Sequence, residues 1–229
     1  MPLQVVLITG SSKGIGQEIA LLLARDPQRR FKVYATMRNQ STRQDDLKTK
    51  AGSSLDDTLF IRELDVTKQE TIDKTVKEIV DSEGRIDVLA LPVMVQYNAS
   101  KSALEGFSES IAPPLRKFNV WVSIIHLGSV ITDMSLQFGS GPTPILRALT
   151  KEIPEDTRNI VEQMVTTNPD DVIGTKSQTA NDIAKLVEDV ILSDKPNFRY
   201  QSSQTIQRMA RQRFLDPTGN EMMDTWLKQ

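Results

Sequence analysis

Residues 4–26 read QVVLITGSSKGIGQEIALLLARD, and this stretch decides the fold. Its first six residues, 4–9, are rich in β-branched side chains and predict a short buried strand that ends at Gly10. From Ile15 the apolar residues recur at helical spacing as far as Asp26 and Pro27. Between strand and helix lies TGSSKGIG, 9–16, with glycines spaced G-x-x-x-G-x-G. Glycine there allows a tight turn and close backbone approach, and the N–H groups that open a helix suit a phosphate. Glycines alone could make a plain turn. The flanking strand and helix favour nucleotide binding.

Working outward, FKVYAT (31–36), LFIREL (59–64), 86–91 and VWVSIIHL (120–127) read as further strands. Helices are predicted near Asp45–Lys50, from Gln69 to about Ser82 with Thr67 as its cap, and over 97–118. Pro113 and Pro114 should disturb the last turns of the 97–118 helix. Alternating strands and helices imply a parallel sheet covered on both faces, and the runs VVLI and VSII suggest burial on both sides. Beyond Gly128 the reading is a loop at 139–144, helix at 145–166 interrupted by Pro154, and a loop at 168–177. A helix over 181–192, a short strand at 198–201 and a partly helical tail, 204–229, follow.

At 229 residues and 38% apolar side chains, one sizeable α/β domain fits better than two small ones. A net charge of −2 gives no field for nucleic acid. The absence of cysteine excludes disulfides, thiolate metal sites and a Cys nucleophile. The single histidine, His126, reads as a satisfied strand-end residue, and no metal site is expected. No apolar run approaches the ~20 residues of a membrane span, and the chain enters a strand at once, leaving no room for a signal peptide. The expectation is a soluble cytoplasmic protein, with peripheral membrane attachment left open.

The second chemical signal lies in RIDVLALPVMVQYNASK, 85–101. Tyr97 and Lys101 stand one helical turn apart on one face. A phenol with pKa about 10 is a poor proton donor or acceptor near neutrality, and a neighbouring ammonium corrects that. An isolated Y-x-x-x-K pair is usually an ordinary surface pair; the A-S-K context and the glycine turn upstream favour a catalytic one.

TGSSKGIG and YNASK together resemble the cofactor turn and active site of the short-chain dehydrogenase/reductase family. KVYATMR, LDV, RIDVL, YNASKSALEGFSES, KPNFRYQ and DPTG resemble its estradiol 17β-dehydrogenase and photoreceptor-type retinol dehydrogenase branch. The resemblance implies a Rossmann-type doubly wound parallel sheet in a single domain, 1–229. Residues 134–179 would form a substrate lid and 202–229 a C-terminal extension. It implies that Gly10, Ser12, Lys13, Gly14, Ile15 and Gly16 hold the cofactor phosphates, and that Asp65 and Val66 meet the adenine. Arg38, just past the second strand, would pair with the 2′-phosphate of NADP(H), with Lys13 adding a second charge. Tyr97 would exchange the proton, while Lys101 would lower its pKa and hold the nicotinamide ribose. LGSVITDM, 127–134, is similar to the family's P-G-P-x-x-T turn, with Leu127 and Ser129 in place of the prolines; Thr132 would contact the cofactor.

One departure is large. In the family, strand four runs into an N-N-A-G turn, a long helix and a fifth strand bearing the catalytic Ser before the Tyr arrives. Here LPVMVQYNASK follows strand four at once, so one central helix–strand unit, roughly 30 residues, has no counterpart. Helix 97–118 should then link strand four directly to strand 120–127, with the sheet closing its gap or leaving a cleft. Half the family's dimer surface goes with that unit, leaving a weak homodimer or monomer with Leu104, Phe107 and Ile111 exposed. The leading reading is an NADP(H)-dependent oxidoreductase acting on a small apolar retinoid or steroid, impaired by loss of the Ser. The alternative is an inactive dinucleotide-binding or interaction protein of the same fold.

Overall fold

In the computed structural model, which describes residues 3–91, 98–128, 130–132, 177–215 and the single positions 155, 218 and 220, the strand predicted from QVVLIT forms as β1, Gln4–Ile8. All four side chains of VVLI are buried. α1 (Gly14–Ala24) leads to β2 (Phe31–Met37), and short helices α2 (Gln40–Arg43) and α3 (Asp45–Ala51) lead to β3 (Leu59–Glu63). α4 (Gln69–Glu83), β4 (Val88–Ala90), α5 (Asn98–Arg116) and β5 (Ile124–His126) follow. After β6 (Val130–Ile131) come β7 (Gln178–Thr179), α6 (Ala180–Leu192), β8 (Arg199–Gln201) and α7 (Gln204–Leu215).

Four strands make a parallel sheet in the order β3-β2-β1-β4. Val6 is in register with Val33 on one side and Val88 on the other. The chain winds outward from β1 to β3, then returns across to β4 on the far side of β1. That reversal opens a crevice at the C-terminal ends of β1 and β4. On one face Val5, Leu7 and Tyr34 pack with Ile79 of α4, backed by Phe60, Val76 and Ile86. Val6, Ile8 and Val33 alternate to the other face, also buried. α1 packs on β2 and on α6. This is a Rossmann-type α/β fold.

The described contacts gather into two compact units, one of Met1–Ile124 with Ala180–Phe198, the other of Ile125–Thr179 with Arg199–Gln229. The first holds the four-stranded sheet. In the second, β6 pairs parallel with β7, and Ser202 links two segments: its hydroxyl accepts from the Gly128 N–H at 2.9 Å and donates to Gln178 Oε1 at 2.6 Å.

Several expectations change. Lys68, not Thr67, is the residue that opens α4; the Thr67 hydroxyl donates instead to Asp65 Oδ1 at 2.8 Å, closing a local turn. α5 continues through Pro113 and Pro114 to Arg116. Proline's φ is already helical, and both prolines sit in an exposed last turn where water can replace a lost N–H bond. The helix stops at Asn119, φ 59°, where the Val120 N–H reaches Leu115 O and the Asn119 N–H reaches Arg116 O, each at 3.1 Å. The strand expected over 120–127 shrinks to Ile124–His126, is half-buried rather than fully buried, and pairs with β8.

β4 is also shorter and less buried than IDVLAL suggests: Leu89 and Leu91 are 56% and 52% exposed. Among the described residues the sheet ends at β4, whose only neighbour is β1. Leu7, one strand inward and in register with Leu89, is 3% exposed because α4 covers it. Leu104 and Phe107 are exposed as expected, at 40% and 60%, whereas Ile111 is half-buried. Of the predicted elements at 139–144, 145–166 and 168–177, only residues 155 and 177 are among those described. No helix among the described residues is long and apolar enough to cross a membrane.

The junction of α1 with β2 is held by a buried carboxylate. Asp26 Oδ2 accepts from the Arg30 N–H and Nε, and Oδ1 from the other guanidinium nitrogen, all at 2.8 Å. The Arg30 side chain, more than any other group, draws the Asp26 pKa down to about 2. A folded pKa below the unfolded one stabilises the protein above the unfolded value, and that support is lost as pH falls through the folded one. Between pH 4 and pH 2 this group should remove on the order of 1–2 kcal/mol. Urea unfolding across that range should show a shallower pH slope for Asp26→Asn than for wild type. Equal slopes would assign the acid sensitivity elsewhere.

Candidate cofactor site

β1 ends where its backbone must turn sharply, and the residues present make that turn possible. Gly10 and Gly14 have φ of 67° and 61°, in the left-handed region where any side chain is strained. Ser11 between them is fully buried. Its N–H reaches Thr36 O at 2.9 Å and its hydroxyl Ile8 O at 3.2 Å, while the Thr36 hydroxyl donates to the same Ile8 O at 2.9 Å. Thr9 N–H joins Ala90 O at 3.1 Å. The turn is thereby tied to the ends of β1, β2 and β4.

Lys13 is the extended residue preceding α1, with φ −159° and ψ 171°. No acidic residue occupies the first turn of α1. Among the described residues no side chain caps the opening amides of the helix, which carry a partial positive charge. Behind the turn, Gln17 is buried, and its Nε2 donates to Ser12 O at 3.0 Å and to Asp46 Oδ2 at 2.8 Å. Lys50 Nζ donates to Gln17 Oε1 at 2.8 Å and to Asp46 Oδ2 at 2.9 Å. Lys50, then Gln17, and more weakly the charge of Lys13, hold the Asp46 carboxyl below the usual carboxylate range.

Arg38, exposed, follows β2 directly. Asp65 lies just beyond β3, joined to the same level by Leu64 N–H to Met37 O at 3.0 Å. Its carboxylate accepts from the Thr67 N–H at 3.0 Å as well as from the Thr67 hydroxyl. Those bonds, with the charges of Arg38 and Lys68 behind them, keep its pKa below the usual range. Val66 is 59% exposed beside it.

Of the predicted residues, the first unit thus brings Gly10, Ser12, Lys13, Gly14, Ile15 and Gly16 onto one turn, with Arg38, Asp65 and Val66 at the ends of the next two strands. Thr132 is buried and follows β6 in the second unit. Tyr97 lies outside the described residues. Lys101 is in α5, its side chain outside the description. Among the described residues no three His, Cys, Asp or Glu side chains gather where they could hold a metal ion. Ser11, Thr36 and Gln17 are contributors the sequence reading did not name. Gln17 left one trace, a polar residue between the buried Ile15 and Ile19.

The donor set fits an anionic dinucleotide. Glycine backbone that a Cβ would strain, an acid-free helix start and a cation at the next strand end are what a pyrophosphate and a charged ribose need.

Comparison with known proteins bears on the fold and the family. Retinol dehydrogenase 8 of Bos taurus is 26% identical over 278 residues, covering 95% of this chain and 87% of that protein. Estradiol 17-beta-dehydrogenase 1 of Rattus norvegicus is 27% identical over 284 residues, covering 96% of this chain and 79% of that one. Both alignments are longer than the chain, so each relative carries residues without a counterpart here. A short-chain dehydrogenase from Streptomyces avermitilis superposes with a TM-score of 0.65 at 20% identity, over 99% of this chain and 96% of that one. L-Sorbose reductase from Gluconobacter frateurii, solved with NADPH and L-sorbose, gives 0.62 at 18%, over 88% and 95%. Likeness at that identity speaks for the fold. The model of the family described as short chain dehydrogenase matches residues 4–91 and again 90–142, more than half of the sequence, and the chain belongs to that family.

Proposed function

We propose that the protein is an NADP(H)-dependent oxidoreductase that interconverts an alcohol and a carbonyl on a retinoid or steroid, at a rate reduced by loss of the unit that carries the catalytic Ser. The observation that carries the cofactor half is the pairing of the left-handed glycine turn with Arg38 at the end of the adjacent strand. The dinucleotide supplies the hydride. Tyr97 gives its phenolic proton to the carbonyl oxygen, and Lys101 stabilises the phenolate that remains. Arg38 and Lys13 face the 2′-phosphate, Asp65 and Val66 the adenine, and Thr132 the nicotinamide. The lid role expected of 134–179 falls mostly on residues outside the description. The apolar substrate class rests on the names of the relatives.

The missing unit is supported by the family match, which restarts at residue 90, and by alignments longer than the chain. Losing one hydrogen-bond donor to the reacting oxygen costs on the order of a hundred- to a thousandfold in turnover. With half the dimer surface gone as well, we expect a monomer or a weak homodimer.

Calorimetric titration with NADPH and NADH tests the cofactor reading. NADPH should bind about tenfold more tightly or better, and Arg38→Asp should reverse that order by setting a carboxylate against the phosphate. Tighter binding of NADH by wild type would sink the preference. A second reading, a dinucleotide-binding protein without turnover, is favoured by one observation: the described sheet ends at β4. Binding without any reduction of retinal or estrone would establish it.

A further inference from the structure

Gln17 is almost wholly buried at 3% exposed, yet the partners of its side chain are polar and charged rather than an apolar core. Its amide is fully engaged. Both hydrogens of Nε2 are used, one on Ser12 O and one on Asp46 Oδ2, and Oε1 takes the Lys50 ammonium. Its orientation follows from its partners. Turned over, Oε1 would face a carbonyl and a carboxylate, two acceptors, while the NH₂ would face an ammonium. One face of this amide therefore always presents a donor to the Ser12 carbonyl.

That bond has a directional consequence. No peptide in the described chain is cis. In a planar trans peptide the carbonyl of one residue and the N–H of the next point in opposite directions. Drawing Ser12 O inward onto Gln17 turns the Lys13 N–H away from Gln17. Gln17 sits in the first turn of α1, so the helix whose opening amides would meet an anion also sets the peptide that precedes it.

We propose that Gln17 is a positioning residue of the cofactor turn: it locks the Ser12–Lys13 peptide with the Lys13 N–H directed outward toward the dinucleotide phosphates, and the Asp46–Lys50 pair of α3 locks Gln17. This deepens the dinucleotide reading and rests on it. The lock belongs to the unliganded protein, so the turn does not have to be ordered when the cofactor arrives, and the entropy of that ordering is not subtracted from affinity. α3 acquires a role in binding without touching the ligand. It supplies the charged pair that keeps the amide from turning over.

The test is NADPH affinity by calorimetry for wild type, Gln17→Met, Lys50→Met and the double variant, each checked for folding by circular dichroism. Met keeps the length and burial of Gln17 but leaves the Ser12 carbonyl without its donor. The Kd should rise about tenfold for Gln17→Met and about threefold for Lys50→Met. The double variant should bind no worse than Gln17→Met alone, because the two residues act in series. In the unliganded protein, the Lys13 amide resonance should be single and sharp in wild type and exchange-broadened in Gln17→Met. A purely structural Gln17 would lower the melting temperature and leave Kd and resonance unchanged. That result overturns the proposal, as do additive losses. Should Gln17→Met not fold, the exposed Lys50→Met decides: an unchanged Kd overturns the proposal. If wild type binds neither NADPH nor NADH, the dinucleotide reading fails and takes this proposal with it. If wild type binds and Gln17→Met binds equally well, only the proposal falls.

Discussion

Replacing Tyr97 by Phe is expected to bring NADPH-dependent reduction of retinal or estrone down to the rate seen without protein. The change deletes one oxygen and leaves the ring, so it removes the proposed acid with little change in side-chain volume. A positioned general acid contributes on the order of a hundred- to ten-thousandfold. In a full-length family member the hydroxyl of the catalytic Ser would share the load on the reacting oxygen. On the proposed loss of the Ser-bearing unit, the phenol would bear that load alone, and nothing would remain when it goes. The two proteins should be assayed side by side with a full-length relative. Wild type should run roughly a hundred- to a thousandfold below the relative. Identical rates for wild type and Tyr97→Phe would end the enzymatic reading in favour of binding without turnover. A wild-type rate within about tenfold of the relative would refute the account of the lost donor.

The largest expected effect on stability is at Phe31. It opens β2, pairs in register with Gln4, is 0% exposed, and carries the Arg30 guanidinium 5.3 Å from its ring centroid. Phe31→Ala should cost about 3–5 kcal/mol, because the ring's burial is lost and the rigid strand on which it stands cannot collapse into the space. Arg30 would also lose the ring beneath it, loosening the same guanidinium that binds Asp26. Against a typical domain stability of about 5–15 kcal/mol, such a loss removes a large share of the margin. Urea unfolding at pH 7 measures it. A loss under about 1 kcal/mol would mean that neighbouring side chains refill the site.

The part of the molecule legible in the sequence is the part whose neighbours are local. VVLI, the glycine turn and IGQEIALLLARD sit consecutively, and each residue's fate depends on the next few; strand, left-handed glycines and helix all form where the pattern puts them. VSII reads much like VVLI, yet only its last two residues enter a strand, and that strand is half-buried. An apolar run reports a capacity for burial. Whether another strand lies alongside depends on residues far away in the chain, and the run carries no trace of them. The same limit explains β4, where IDVLAL promises a core strand and Leu89 stands in solvent. Gln17 shows a third kind of concealment. Its identity is visible, but its meaning needs Asp46 and Lys50, some thirty residues on, brought against it by the fold. A hydroxyl just before a helix usually caps it, but the Asp65 carboxylate captures that of Thr67 first.

That the described sheet ends at β4 also bears on how this protein behaves as a material. Among the described residues no strand lies beyond β4, and Leu89 within it and Leu91 just past it are exposed; a strand edge of that kind is a template onto which an extended segment of another molecule can zip. Such self-association grows with concentration and needs no prior unfolding. Its brakes are the shortness of β4, three residues, and the absence of any strong net charge to keep molecules apart is a brake removed. If that edge is free in solution, self-association should rise with protein concentration, which light scattering across a dilution series would measure.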